Sequence, residues 1–148
     1  MNITGTVDSV LNQKTPHIWS IQPHATVFDA IQLMADKNIG ALLVMENTRL
    51  VGVFSERDYT RKIALKGKSS KQTAVREVVS SAISVGPGTS VEDCMRLMTE
   101  HRVRHLPVLE GTEVIGLVSI GDLVNWTISA QHMALNQMAD YISGKYPG

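Results

Sequence analysis

Two short stretches hold the side chains best suited to chemistry: Ser55-Glu56-Arg57-Asp58 and Ser119-Ile120-Gly121-Asp122. In each, a hydroxyl and a carboxylate stand three positions apart, directly after an apolar run, "VGVFS" or "IGLVS". One role for the pair is local. A serine N-cap accepts from a first-turn amide, and an acid at the third helical position favours the positive helix end. The other role is recognition. A strand ending at a helix N-terminus offers unpaired amides to an anion. The hydroxyl can reach a phosphate, and the carboxylate can accept from both hydroxyls of a ribose diol. The two roles use the same geometry and are compatible. Arg57 has no cationic counterpart in the second stretch; it can reach a phosphate or remain solvated.

The stretches belong to a longer repeat. Sliding the chain by 64 positions lays 19–59 on 83–123 without a gap. Ser20/Ser84, Pro23/Pro87, Val27/Val91, Asp29/Asp93, Leu33/Leu97, Met34/Met98, Val44/Val108, Gly52/Gly116, Ser55/Ser119 and Asp58/Asp122 coincide, and about a third of the aligned positions match. Chance does not set Pro, Gly, Ser and Asp in one register; the chain is a duplication.

Each copy must position its Ser-x-x-Asp by the same plan. A short strand near 18–21 stops at Pro23, which cannot donate to a ladder. Thr26 reads as an N-cap, and Val27, Ala30, Ile31, Met34 and Ala35 recur at helical spacing. "GALLVM" is a buried strand, "LVGVFS" the next, and a helix starts at Glu56. The predicted order is β-α-β-β-α, twice, in an α+β fold. The repeats are expected over 7–66 and 75–130, joined by polar "KGKSSKQTA", with a helical extension over 131–148, all within one module spanning 1–148. One copy of roughly 50 residues buries little core alone. The two are therefore expected to pack through their sheets about a pseudo-twofold axis.

Composition narrows the classes. Lys and Arg total 14 against 14 Asp and Glu, so no global field draws in nucleic acid or an anionic membrane. The single cysteine, Cys94, rules out an intrachain disulfide and suits a reducing compartment. The start, "MNITGTVDSV", has no signal-peptide pattern, and the longest apolar runs are too short to span a bilayer. A soluble, cytoplasmic protein is expected.

With "VGVFSERD", "IGLVSIGD", "HRVRHLPVLE" and the β-α-β-β-α order, the chain resembles a tandem pair of cystathionine-β-synthase (CBS) domains, the arrangement called a Bateman module, over about 7–128. The resemblance implies regulatory binding of adenosyl ligands (AMP, ADP, ATP, NAD(H) or S-adenosylmethionine) in clefts between the repeats, in disc-like homodimers. It implies ribose contacts from Asp58 and Asp122 beside Ser55 and Ser119. Arg104 and His105, where the first copy has Gly40 and Ala41, fall in columns that meet phosphates, and Arg suits bidentate phosphate recognition. A carboxylate partner elsewhere in the fold is the plain alternative for these two. Ser20, Ser84 and Ala41 are softer candidates; a strand-edge serine is an equal reading for the first two. Ile18, Ile39, Ile83 and Val103 can wall an adenine, although core membership is their default. The basic residues of one copy predict unequal clefts. They also disfavour S-adenosylmethionine, whose sulfonium is positive, and leave AMP, ATP and NAD(H).

Other chemistry lacks its residues. Neither a dinucleotide nor a P-loop glycine pattern is present. His101 and His105 stand four apart, but a break near Arg104 separates them, so no metal site is expected. Cys94 sits on an apolar helix face with no base in register. No enzymatic activity and no catalytic cofactor are expected. Beyond the repeat, Val124, Ile128, Leu135, Met138 and Ile142 form one helical stripe that Gly144 ends; it is expected to cover the module or a second copy. The resulting expectation is an adenine-nucleotide-binding regulatory module, an energy or redox sensor acting as a homodimer on a protein partner that the sequence does not identify. The alternative is a structural dimerisation module with vestigial clefts.

Overall fold

The computed structural model describes residues 4–14 and 17–142, the last three as backbone only. In chain order the elements are α1 (Val7–Asn12), β1 (Ser20–Ile21), α2 (Val27–Lys37), β2 (Ala41–Glu46), β3 (Arg49–Ser55), α3 (Glu56–Asp58), α4 (Val91–His101), β4 (His105–Glu110), β5 (Glu113–Ser119) and α5 (Ile120–Ile142). α3 continues as a π-helical segment, Tyr59–Ala64, and a 3-10 turn covers Val75–Glu77. The fold is α+β, with two small sheets flanked by helices.

Local chemistry sets the matching elements. Thr26 and Ser90 start α2 and α4, their hydroxyls accepting from Asp29 N at 3.1 Å and Asp93 N at 3.0 Å. Both helices bury a valine, a small residue and a methionine at helical spacing: Val27, Ala30 and Met34; Val91, Cys94 and Met98. β2 and β3 pair antiparallel with β1 parallel on the outside, and β4 and β5 repeat the hairpin. Even the register irregularity recurs, at Val44/Met45 and Val108/Leu109.

The plan expects a first strand in both repeats. In the second it is reduced to one parallel bridge, Val85 with Val108. Proline explains the loss. Leu43 N donates to Trp19 O at 3.2 Å in the first repeat. Pro107 occupies the matching position and has no N–H to donate.

Each repeat's core is completed by the segment that precedes the other repeat. Val7 and Val10 of α1 lie in the cluster of Val85, Val91, Met98, Leu106, Val118 and Leu123. Val75 and Val78 lie in the cluster of Val27, Met34, Leu42, Phe54 and Ile63. The hydrogen bonds correspond one for one. Val7 N donates to Thr89 O at 2.8 Å, Asp8 N to Pro87 O at 2.9 Å, and Val91 N to Gly5 O at 3.1 Å. Val75 N donates to Ala25 O at 2.8 Å, Arg76 N to Pro23 O at 2.8 Å, and Val27 N to Thr73 O at 2.9 Å. A third cluster joins the sheets, with Ala41, Leu43 and Val53 packed against Val114 and Leu117.

Of the two coverings expected for the α5 stripe, the module itself is not the one observed. Leu123 is buried, and Trp126 Nε1 donates to Thr4 O at 2.7 Å, which fixes its first turns. Farther on, Ile128, Leu135 and Met138 are about 60% exposed, so the stripe does not cover the module. The helix runs past the core that would bury it. The Ile142 side chain and Gly144 lie outside the described residues. Among the described residues no helix is long and apolar enough to cross a membrane.

Two matched glycines test the exchange of segments. A Cβ on Gly52 would run into the Ser80 carbonyl, which is backbone, whereas one on Gly116 would meet the end of the Leu11 side chain at 2.8 Å. Gly52→Ala should cost roughly 3 kcal/mol, or about 6–12 °C in Tm, and Gly116→Ala clearly less. Thermal unfolding of the two variants side by side checks the order.

Candidate functional site

The capping geometry is present in both copies. Asp58 N donates to Ser55 Oγ at 3.2 Å, and Ser55 N returns a bond to Asp58 Oδ2 at 2.9 Å. Asp122 N donates to Ser119 Oγ at 3.1 Å, and Ser119 N to Asp122 Oδ2 at 2.8 Å. Each Ser-x-x-Asp thus closes a capping box at the end of a strand.

Around the first copy the two repeats enclose a cleft of about 530 Å³. Repeat 1 contributes Gly40, Val53, Ser55, Arg57, Asp58, Arg61 and Lys62. The joining segment and repeat 2 contribute Ser80, Ala82, Ile83, Arg102, Val103, Arg104 and His105. The volume suits a small-molecule ligand. The predicted residues Ser55, Arg57, Asp58, Arg104 and His105 are thereby brought together, with Ile83 and Val103 as apolar walls.

Asp58 is held by both sides of the cleft. Its Oδ2 also accepts from Ser55 Oγ at 3.1 Å. Its Oδ1 accepts from Ser80 Oγ at 2.8 Å, with Lys62 Nζ at 3.5 Å. Lys62 donates to Ser80 Oγ at 2.8 Å and to Val78 O at 3.0 Å. A carboxylate offers about four acceptor positions, so capacity remains for a further donor. Arg57 Nη1 donates to Arg102 O at 3.0 Å and so ties repeat 1 to repeat 2. Among the described residues the side chains of Arg61, Arg102 and Arg104 have no hydrogen bond or ion pair. The carboxylate partner considered for Arg104 is therefore not among them.

His105 opens β4 opposite Ser119, and its ring lies over Gly40, 3.7 Å from where a Cβ would stand. Burial lowers its pKa below the usual 6.5; Lys14 and Arg104 push the same way, and Asp122 and Asp58, one from each repeat, oppose them. Its resting form at neutral pH is the uncharged imidazole. Burial, with Asp93 beside it, raises the Cys94 thiol to about 11, so it is no nucleophile.

Three further candidates are not among the residues that line this cleft. Ala41 is 3% exposed in the cluster that joins the sheets, because β2 buries it opposite Ser55. Ser20 lines a separate hollow with His24, Glu46 and Arg76. Ser84 is exposed just before the Val85 bridge, away from the cleft. Ser119 and Asp122 stand on the pseudo-twofold-related side, where Lys14 Nζ reaches Asp122 Oδ2 at 2.7 Å and Leu117 O at 2.8 Å. Of the apolar candidates, Ile39 lines the neighbouring groove between α2 and α3, and Ile18 is exposed.

Arg61, Lys62, Arg102, Ser80 and Ser81 are cleft residues that sequence reasoning missed. Arg61 stands one helical turn after Arg57, and Lys62 one after Asp58, a signal that was there to be read. Arg102 faces Asn38 in the 64-residue register and holds the same left-handed backbone, φ 54° in both. Ser80 and Ser81 carry no motif.

Fold and cleft define a two-repeat module with a cleft lined by both halves. The CBS domain model matches residues 8–65 and 75–129, and the chain belongs to that family. It is 42% identical over 127 residues to a mitochondrial CBS domain-containing protein of Arabidopsis thaliana, covering 82% of this chain and 62% of that protein. A solved protein with CBS domains from Burkholderia ambifaria superposes with a TM-score of 0.83 at 47% identity, over 86% of this chain and 96% of that one. A CBS domain protein of Pyrobaculum aerophilum, solved in complex with AMP, superposes with a TM-score of 0.71 at 26% identity, over 79% and 88%.

The lowered His105 pKa has a sign that can be checked. Below about pH 6.5 the unfolded chain takes up this proton before the folded one, so its contribution to stability falls with acidification until the folded pKa is reached. His105→Gln should lose less stability than the parent between pH 7.5 and 5.5 in denaturant titrations.

Proposed function

We propose that the chain binds an adenine nucleotide in the cleft between its repeats and acts as a regulatory module rather than an enzyme. One observation carries this reading: Asp58, fixed at a helix start from repeat 1, shares a cleft with Arg104 and His105 from repeat 2. A diol acceptor then sits opposite the Arg104 guanidinium, which suits phosphate, and the neutral His105 imidazole. The AMP-bound relative from Pyrobaculum aerophilum supports the ligand class. AMP, ATP and NAD(H) carry the required groups, while the positive sulfonium of S-adenosylmethionine meets the wrong charge. Asp122 is the matching ribose contact of a second, weaker site.

Regulation follows from the two-sided construction. Arg57 bridges the repeats through Arg102 O, and a phosphate drawing on that guanidinium changes the link between them. A ligand shifts such an equilibrium by its differential affinity for the two arrangements, and a partner reads the shift. An energy or redox sensor working in the cytoplasm is the reading in full.

A second, structural role has its own support. The exposed face of Ile128, Leu135 and Met138 on α5 suits burial against the same helix of a second chain. Leu135→Glu should shift the protein from dimer to monomer in light scattering; a parent that is already monomeric at micromolar concentration would refute this role.

Thermal unfolding against AMP, ATP, NAD⁺, NADH and S-adenosylmethionine tests the main reading. A bound nucleotide at about a hundred times its Kd adds about 2.7 kcal/mol, or roughly 5–10 °C in Tm. Asp58→Ala should abolish the shift and Asp122→Ala should leave most of it. No shift with any nucleotide at millimolar concentration would leave both boxes as helix caps only.

A further inference from the structure

The cations of the cleft exceed what one phosphate needs. Arg57, Arg61, Lys62, Arg102 and Arg104 face two carboxylates, Glu56 and Asp58, a surplus of three positive charges with His105 neutral. They differ in readiness. Lys62 is held by Val78 O, Ser80 and Asp58, and Arg57 by Arg102 O. Arg61, Arg102 and Arg104 are unpaired among the described residues, so their guanidinium groups meet an incoming anion without first breaking a bond in the protein.

Arg102 adds an independent observation. It caps α4 with φ 54° and ψ 43°, a left-handed conformation that asparagine adopts more readily than arginine. Its counterpart Asn38 caps α2 with φ 54° and ψ 50°. The cap does not call for arginine; what arginine adds there is a guanidinium at the cleft. The other cationic positions show the same contrast. In the 64-residue register Arg57, Arg61, Lys62 and Arg104 correspond to Gly121, Asn125, Trp126 and Gly40, none of them charged.

We infer that this cleft selects nucleotides by phosphate number, with Arg61, Arg102 and Arg104 holding the terminal phosphates of a nucleoside di- or triphosphate. The inference rests on the nucleotide reading above. Hydrogen bonds from guanidinium to phosphate are charge-assisted, so each added phosphate should strengthen binding about tenfold or more. Affinity should also weaken with salt more steeply for ATP than for AMP.

Calorimetry at fixed ionic strength with adenosine, AMP, ADP, ATP, GTP and inorganic tripolyphosphate tests the inference. The expected order is ATP over ADP over AMP. Arg102→Asn restores the residue type of the matching cap, so its Tm should hold or rise while the ATP-to-AMP ratio shrinks severalfold. Arg61→Gln and Arg104→Gln should shrink the ratio too. Equal binding of AMP and ATP would overturn selection by phosphate number and leave the adenine-nucleotide reading standing. GTP and tripolyphosphate binding as tightly as ATP would keep the phosphate inference and overturn the adenine reading. No binding by any of these compounds would overturn both.

Discussion

The structure depends on a crossed exchange of short segments. Neither repeat owns all of its core. The chain before repeat 1 seals repeat 2 with Val7 and Val10, and the chain before repeat 2 seals repeat 1 with Val75 and Val78. Matched backbone bonds pin both exchanges, Val7 N to Thr89 O on one side and Val75 N to Ala25 O on the other. Fully burying a valine stabilises by about 1.5 kcal/mol or more, so four of them decide much of a margin that is itself small. The exchange also shapes the cleft between the repeats. The segment that leaves Val78 pairs with β3 at Ser80 and Val53, which puts the Ser80 hydroxyl on Asp58.

Given that frame, the two halves differ more in the charge around their capping boxes than in the plan of their hairpins. Their helices, hairpins and capping boxes superimpose in sequence register, down to one matched irregularity in each hairpin. Their side chains do not. Repeat 2 sends Arg102, Arg104 and His105 across to the capping box of repeat 1. The box of repeat 2 instead receives Lys14, from α1's own end of the chain, and its Asp122 is already paired at 2.7 Å. Each acid has a lysine beside it, Lys62 at 3.5 Å from Asp58 and Lys14 at 2.7 Å from Asp122. Only Asp58 shares its cleft with three further arginines that are unpaired among the described residues. The imidazole of His105 lies within the field of both acids, and so the two sides are not electrically independent.

How much of this the sequence disclosed follows from what sequence can encode. Period, caps and punctuation are local, so the element order, the capping of α2 and α4 and both Ser-x-x-Asp boxes were legible. The 64-residue register added the pairing of repeats and the asymmetry at Arg104 and His105. The burial of Ala41 was not legible, because strand alternation does not say which face meets another sheet; Ala41 shares a face with Leu43 and Val53, and that face closes the inter-repeat core beside the cleft. The missing first strand of repeat 2 was readable in principle from Pro107, since a proline has no amide for a ladder. The exchange of α1 was not. Val7, Val10 and Leu11 show an apolar face without saying whose core it fills.

The crossing also gives the chain a history. Synthesis runs from the N-terminus, so α1 is made before repeat 1. The surfaces that bury it, from Val85 to Leu123, follow only after repeat 1. Repeat 1 waits only for Val78 before its core can close. A segment made before repeat 1 thus completes repeat 2, and Val7 and Val10 stay uncovered until the chain as far as Leu123 has emerged. Contacts so distant in sequence form less readily than local ones, because the loop between them must first be closed. In a nascent chain, the apolar face of α1 is the surface most open to capture by a chaperone or by another unfinished copy.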